Sequence, residues 1–258
     1  MPQKINVTRK KRRMLELSGS ALKWIGLVLT CMGTFSAAVL QRGVLRLDSY
    51  TNETLYAALE PGSEMFGTVS AAVVCTLLSA MALPVYSKLV YEGWKHTSNA
   101  KQYLLRLALC ALVSEIPYDL AYRGAWFDPT TQNPVWGLLL AALMLEIIKR
   151  YGCRPGLTGV ALKALFITAA AVWAVLGQSQ LGVMFVLLTA LQYCFEGSMV
   201  ATMLGGIALT LLQFPAPFGL LTVYWYNGRP GRAPRRLFYV LYPAQLLAFA
   251  LLGWLAAR

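Results

Sequence analysis

The side chains of this chain that could carry out acid–base chemistry are few, and two of them stand four residues apart. Glu92 and His96 lie in a polar stretch between two apolar segments, and His96 is the only histidine. Histidine is the side chain that titrates near neutral pH, so it can take a proton from a hydroxyl or amine. If helix continues past Gly93, the Glu92 carboxylate could orient the imidazole. His96 is therefore a candidate general base, beside the alternative that it is an ordinary interfacial residue.

A second pair of acids has the same spacing but lies within an apolar segment. Glu115 and Asp119 should share one helix face, and Pro117 between them frees a backbone carbonyl. Ionisable groups are costly in lipid and commonly mark functional sites. The pair could supply an alternative base, form a buried structural pair, or bind a proton or cation in a small transporter. Lys88 and Glu146 stand near segment ends, where their charged groups could extend to the interface.

These residues must be positioned by apolar elements, because apolar blocks dominate the chain. Hydrophobic residues make up 57% of the 258 residues, charged residues only 13%, and the mean hydropathy is +0.55. The charges collect at the ends of apolar blocks such as 66–83 and do not recur at helical or strand periods. This pattern predicts an all-α, polytopic transmembrane helical bundle with no soluble domain.

The large net positive charge of the chain does not by itself indicate a nucleic-acid-binding protein. Lys and Arg total 23 against 11 Asp and Glu, a net charge of +12. In a soluble protein this would suggest nucleic acid. Here the cations stand at segment ends, as expected for cytoplasmic loops near anionic lipid headgroups, so we expect the bilayer and no nucleic acid as partner. The five cysteines form no CxxC pair, which argues against a metal or redox site.

Nine apolar segments are the predicted membrane-spanning helices. They cover about 21–40, 66–91, 103–122, 135–148, 159–176, 181–195, 198–212, 214–226 and 237–257. Pro84 should kink the second. The 214–226 segment is only about a dozen residues long and holds two prolines, so eight spans are the alternative.

The placement of Lys and Arg orients these spans. The cluster at 10–13 makes residues 1–20 a basic cytoplasmic tail, ahead of one transmembrane domain over 21–258. With nine crossings the basic loop at 229–236 is cytoplasmic too, as the positive-inside rule requires. With eight crossings it would lie outside.

Several motifs resemble those of the TraX family, which are bacterial polytopic membrane proteins typified by the pilin acetylase of conjugation systems. The chain reads Leu-Pro-Val-Tyr at 83–86, Tyr-Glu-Gly-Trp-Lys-His-Thr-Ser-Asn at 91–99, Tyr-Leu-Leu-Arg-Leu at 103–107, Ser-Glu-Ile-Pro-Tyr at 114–118, Tyr-Asn-Gly-Arg-Pro-Gly at 226–231 and Phe-Tyr-Val-Leu-Tyr-Pro at 238–243. The order and spacing hold from about residue 20 to the end, so the chain resembles a divergent member of that family.

The departures from the family pattern fall on chemically important positions. The first span of the family usually carries an Asp-His pair, whereas 32–35 reads Met-Gly-Thr-Phe here. The family's final Tyr-Pro-x-His-Leu is Tyr-Pro-Ala-Gln-Leu at 242–246, and a family Asp appears as Gln192. The bases that remain are His96, Glu92, Glu115 and Asp119.

The resemblance implies acetyl transfer from acetyl-CoA to a hydroxyl or amine of a protein, glycan or lipid, in the bacterial inner membrane, without a metal. The implied catalytic residues are His96, Glu92 and Glu115. The implied substrate-binding residues are Arg106, Asn133, Tyr118, Asn227, Tyr242 and Gln245, of which Asn133, Arg106 and Tyr242 are expected to approach Glu92 at the mouth of a central cavity. The implied ligands of the CoA phosphates are Lys95, Lys101, Arg229 and Arg235. Two alternatives remain, a TraX-fold protein that has lost catalysis and only binds, and a small ion-coupled transporter.

Overall fold

A computed structural model describes residues 16–47, 52–60, 62–234 and 236–258, and this part of the chain is helical and contains no strands. The helices are α1 (Gly19–Phe35, prolonged as a π-helix over Ser36–Val44), α2 (Asn52–Leu59), α3 (Phe66–Ala80), α4 (Ala82–Lys95), α5 (Ala100–Tyr122), α6 (Val135–Ile147, prolonged as a π-helix over Ile148–Gly152), α7 (Gly156–Leu176), α8 (Gly182–Cys194), α9 (Met199–Thr210), α10 (Leu220–Trp225) and α11 (Leu237–Ala256). Most of the predicted basic tail, including 10–13, lies outside the described residues.

Four helical stretches are long and apolar enough to cross a membrane. They are Gly19–Val44, Phe66–Lys95, Gly156–Leu176 and Leu237–Ala256. The 23 residues of α5 rise about 35 Å, which is long enough, but this helix carries both acids and two cations. Two other apolar helices, Gly182–Cys194 and Met199–Gln213, are shorter. The all-helical class is thus confirmed, whereas the predicted eight or nine spans are not confirmed by helix length and hydropathy.

The second of these stretches breaks where the sequence places Pro84. Helix α3 ends at Ala80 and α4 begins at Ala82. Proline has no backbone N–H, so the Ala80 carbonyl four residues earlier receives no helical hydrogen bond. The prolonged α1 packs antiparallel to both halves, since Gly26 lies against the Tyr86 ring and the Ser36 hydroxyl donates to the Ala72 carbonyl at 2.7 Å.

The bundle has two ends, which we call the amino end, where α1 begins, and the distal end. At the amino end, the start of α1 contacts the 226–233 loop, since Asn227 N donates to the Leu17 carbonyl at 2.9 Å. The end of α4 meets the ends of α6 and α8 there, because Trp94 Nε1 donates to Glu146 at 3.2 Å and Lys95 pairs with Glu196. At the distal end, Tyr118 of α5 donates to Gln180 before α8 (2.8 Å). Residues 17–20 and the 226–233 loop therefore lie at the same end, as predicted for the start of the first span and the basic loop.

The segments predicted as two spans at 198–212 and 214–226 form one hairpin instead. Helix α9 leaves the amino end, and α10 returns there, since the Trp225 carbonyl accepts from Leu17 N at 2.9 Å. The turn lies against the break between α3 and α4, where a Cβ on Gly219 would stand 2.2 Å from the Met81 carbonyl oxygen. The 14 residues of α4, which follow Met81, rise about 21 Å.

The length of α10 explains this correction to the sequence-based assignment. Its 6 residues rise about 9 Å, far short of the roughly 30 Å of a bilayer core. Because the hairpin enters and leaves at one end, the basic loop after it lies at the end where α1 begins, as nine crossings would also require. The arrangement that follows from eight crossings, with the basic loop at the other end, is not observed.

Candidate functional site

A carboxylate at the amino end gathers three partners. Glu92 lies near the end of α4, with Lys88 Nζ 2.8 Å from Oε1, and His96 Nδ1 3.3 Å from Oε2. The hydroxyl of Tyr226, from the end of α10, donates to Oε2 at 3.4 Å. The Glu92 side chain is only 15% exposed. Because α4 continues past Gly93 to Lys95, the predicted contact between Glu92 and His96 on one helix face is confirmed.

The surroundings of His96 determine which ring nitrogen can act as a base. Nδ1 lies 3.0 Å from the Glu92 carbonyl oxygen and 3.3 Å from its carboxylate, both of which only accept hydrogen bonds at neutral pH. Nδ1 must therefore carry the proton in the neutral ring, which leaves the lone pair on Nε2. The side chain is 62% exposed, so an incoming group can reach it.

A cation-lined cavity of about 320 Å³ lies at the end of α4, and we call it the smaller cavity. Its lining includes Trp94, Thr97, Ser98, Asn99, Lys101, Glu146, Lys149 and Arg150. Glu146 accepts from Trp94 Nε1 and from Arg150 Nε at 2.9 Å, so one cation is balanced by one acid. Lys101 and Lys149 leave the lining with a net positive charge, which suits a phosphate.

Lys95 and Arg229, both predicted to bind CoA phosphates, lie away from the smaller cavity. Lys95 pairs with Glu196 just after α8, and the hydrogen bond from Lys95 lowers the pKa of the Glu196 carboxyl. Arg229 lines a different cavity, together with Arg232. Arg235 lies outside the described residues. Of the predicted phosphate ligands, the smaller cavity contains Lys101.

The second predicted acid pair serves the loop that leads into α6 at the distal end. Glu115 accepts from Asn133 N (3.2 Å), Asn133 Nδ2 (2.5 Å) and Trp136 Nε1 (2.8 Å). Asp119 Oδ2 accepts from Asp128 N at 2.9 Å. The Glu115 carboxylate is thus occupied by donors that hold the start of α6. These contacts favour the structural interpretation of the pair over a proton or cation site.

The remaining predicted substrate ligands do not converge on Glu92. Asn133 is fully buried beside Glu115, and Tyr118 bonds Gln180, both towards the distal end. Arg106 lies near the phenols of Tyr103 and Tyr239. Only Asn227 adjoins the Glu92 cluster, because it follows Tyr226 in the chain.

Tyrosines fill the interior where the resemblance leads one to expect an Asp-His pair and a histidine. Thr34 Oγ1 lies 3.4 Å from the Tyr122 hydroxyl, and the half-buried Tyr242 lies near Tyr122 and Tyr118. Both polar atoms of the Gln245 amide are buried and lack a hydrogen-bond partner among the described residues. No base stands at these positions, so any proton acceptor must lie elsewhere.

Sequence reasoning missed two partners of Glu92. Lys88 was expected to extend to the interface, but its side chain is 17% exposed and ion-paired. Its i, i+4 spacing to Glu92 was the available signal. Tyr226 is 134 residues from Glu92, and no local pattern predicts that contact.

Among the described residues, no group of three His, Cys, Asp or Glu side chains could hold a metal ion.

Comparisons with known proteins give one finding on the family. Neither the curated proteins nor the solved structures contain a match to this chain. The family model described as "TraX protein" matches residues 18–253, nearly the whole chain. That range contains Glu92 and its partners Lys88, His96 and Tyr226. This chain is therefore a member of the TraX family.

Proposed function

We propose that this TraX-family protein is a membrane acyltransferase that moves an acetyl group from acetyl-CoA to a hydroxyl or amine acceptor, with His96 as its general base. The observation that carries the proposal is the Glu92–His96 contact, 3.3 Å between Oε2 and Nδ1. Thr97, the next residue after His96, lines a cavity that contains Lys101, Lys149 and Arg150. A carboxylate-oriented imidazole can act as the general base in transfer from a CoA thioester, and the cations of this cavity would suit the CoA phosphates.

In this mechanism His96 Nε2 removes the proton from the acceptor as its oxygen or nitrogen attacks the thioester carbonyl. The tetrahedral intermediate then collapses, the C–S bond breaks, and the departing CoA thiolate takes the proton from the imidazolium, which restores neutral His96. Glu92 stabilises the imidazolium that forms, and Lys88, 2.8 Å from Oε1, holds the carboxylate in place. Asn227, which follows Tyr226 in the chain, is a candidate hydrogen-bond donor to the oxyanion.

The phosphates of the donor fit the smaller cavity. Lys101, Lys149 and Arg150 supply the cations, and Thr97 and Ser98 connect this wall to His96 along the chain. In this proposal Lys101 keeps its predicted role. Lys95, which is paired with Glu196, contributes by holding the end of α8 against α4.

The decisive measurement is the release of CoA. Inside-out membrane vesicles that contain the protein are expected to liberate thiol from acetyl-CoA faster than vesicles without it. Saturable binding of acetyl-CoA to the purified protein should accompany this activity. Binding without thiol release would indicate a TraX-fold protein that has lost catalysis. Absence of both binding and thiol release would contradict the acyl-CoA assignment and favour the transporter hypothesis.

The proposed membrane topology follows from the two ends of the bundle. The helices that run from end to end, α1, α3–α4, α5, α6, α7, α8 and α11, would make seven crossings, and the 199–225 hairpin would enter and leave on the cytoplasmic side. This topology places the basic loops in the cytoplasm of a bacterial cell, with the catalytic pair at the same face. Acetyl-CoA is made in the cytoplasm, so the donor would reach this face directly.

Cysteine labelling in intact cells tests this topology. In a background without the native cysteines, Ser98→Cys and Arg232→Cys are expected to resist a membrane-impermeant maleimide. Trp126→Cys, in an exposed part of the distal loop, should react. Labelling of both Arg232→Cys and Trp126→Cys from outside would contradict the return of the hairpin to its own side.

A further inference from the structure

The larger cavity of the amino end lies between the start of α1 and the loop before α11. Its volume is about 730 Å³. The lining includes Ser18, Ser20, Trp24, Asn227, Arg229 and Arg232. Neither arginine lines the smaller cavity, so this is a separate cavity.

The frame of this cavity is built by hydrogen bonds across more than 200 residues of sequence. Gly19 N donates to the Arg229 carbonyl at 2.7 Å, and the Ser20 hydroxyl donates to the Pro230 carbonyl at 3.1 Å. The same hydroxyl accepts from Ala233 N at 2.9 Å. The loop that carries both arginines is therefore fastened at several points to the first turn of α1.

The charge balance of the two arginines differs from that of some other exposed cations. In the described part of the chain, Lys95 pairs with Glu196 and Arg150 with Glu146. Within the same described ranges, no carboxylate forms an ion pair with Arg229 or Arg232. Two guanidinium groups on a fixed frame without a counter-charge form a binding site for an anion, and their planar donors match phosphate oxygens.

The walls of the cavity are polar on one side and apolar on the other. Trp24 is 46% exposed, and its ring meets that of Phe238 edge-on at 5.2 Å. Leu237, the first residue of α11, also lines the cavity. Trp24 lies about one and a half turns into α1, so the apolar surface extends from the arginines towards the middle of the bundle.

This polarity matches an amphiphile and not a fully soluble anion. Both the prolonged α1 and α11 are long and apolar enough to cross a membrane, and the cavity lies where both begin, so in a bilayer it would stand near the lipid headgroups. Trp is also the aromatic residue typical of that interface. We propose that this cavity binds the phosphate headgroup of an anionic phospholipid, with the acyl chains along Trp24 and the start of α11.

Lipid titration of the purified full-length protein, followed by native mass spectrometry, tests this site. Dioleoylphosphatidylglycerol is expected to bind the wild type more tightly than dioleoylphosphatidylcholine. The double variant R229Q/R232Q should lose affinity for phosphatidylglycerol on the order of tenfold or more. Binding of phosphatidylcholine should change little, since its headgroup carries no net charge.

The matched control is R154Q/R236Q, which removes the same number of charges from the same end. Neither Arg154 nor Arg236 lines the cavity, and this variant should bind phosphatidylglycerol like the wild type. Unfolding temperatures of both double variants should match that of the wild type, so that a loss of lipid cannot be a loss of fold.

Three results would overturn the proposal. An equal loss in both double variants would mean that lipid is attracted by surface charge in general. Equal affinity of the wild type for the two lipids would mean that the arginines do not select an anion. Displacement of phosphatidylglycerol by acetyl-CoA in the wild type, abolished in R229Q/R232Q, would assign the cavity to a soluble phosphoester. None of these readouts depends on acyl transfer, so the lipid site and the proposed function can fail separately.

Discussion

Replacement of His96 by Gln is expected to lower the rate of acetyl transfer by roughly 10²–10⁴-fold, the usual contribution of general acid–base catalysis. Glutamine keeps a polar side chain at the end of α4 but cannot take up a proton at neutral pH. The affinity for acetyl-CoA should change little, because the cations of the smaller cavity are untouched. CoA release from vesicles and binding to purified protein would measure the two effects separately.

Glu92→Gln is the companion variant, because Glu92 is expected to act through the imidazole. It removes the charge that stabilises the imidazolium but leaves His96 in the chain, so turnover should fall and its pH dependence should shift. Glu115→Gln makes the same chemical change at the distal end and should retain turnover per folded molecule. Wild-type turnover in His96→Gln would show that the base is elsewhere, and equal losses in Glu92→Gln and Glu115→Gln would remove the special role of the amino end.

Replacement of Asn133 by Ala is expected to produce the largest loss of stability. The fully buried Asn133 amide donates to Glu115 at 2.5 Å and to the Ala111 carbonyl at 2.8 Å, while its oxygen accepts from Val135 N at 3.0 Å. Alanine would leave all three partners short of a hydrogen bond. Each buried polar group left without a partner costs about 1–3 kcal/mol, so the total should reach about 3 kcal/mol or more.

The unfolding temperature in detergent measures this loss, and Asn99→Ala is the matched control. The exposed Asn99 caps α5 through one hydrogen bond, from Gln102 N at 3.0 Å. Removal of such a cap costs about 1 kcal/mol. Asn133→Ala should therefore unfold at a clearly lower temperature than Asn99→Ala. If the two variants unfold at the same temperature, the Glu115–Asn133 contacts do not hold the start of α6 in the way that their geometry indicates.

Local spacing and hydropathy account for the parts of this molecule that the sequence predicts well. The apolar blocks predict a helical bundle because a backbone surrounded by apolar groups must satisfy its own hydrogen bonds. The Glu92–His96 contact follows from helical periodicity, and the helix break near Pro84 follows from the missing N–H. The shared end of the N-terminal segment and the 229–236 loop follows from where the cations stand.

Hydropathy could not predict how deep the 199–225 segment goes. An apolar residue is as favourable against lipid as against another helix, so the pattern does not distinguish a full crossing from a hairpin. The turn is positioned by Gly219, which fits against the Met81 carbonyl at the break between α3 and α4. That fit joins residues far apart in sequence and exists only once the bundle has assembled.

The grouping of the candidate residues was likewise decided by the tertiary structure. By sequence alone, Asn133 was expected to approach Glu92, and both Lys101 and Arg229 were expected to bind the CoA phosphates. In the folded chain Asn133 contacts Glu115 at the distal end, and Lys101 and Arg229 line two separate cavities. The sequence by itself determined the helices and the contact between Glu92 and His96, because those depend on neighbours within a few residues. Which helix ends meet, and so which of these side chains can act together, depends on packing between distant segments.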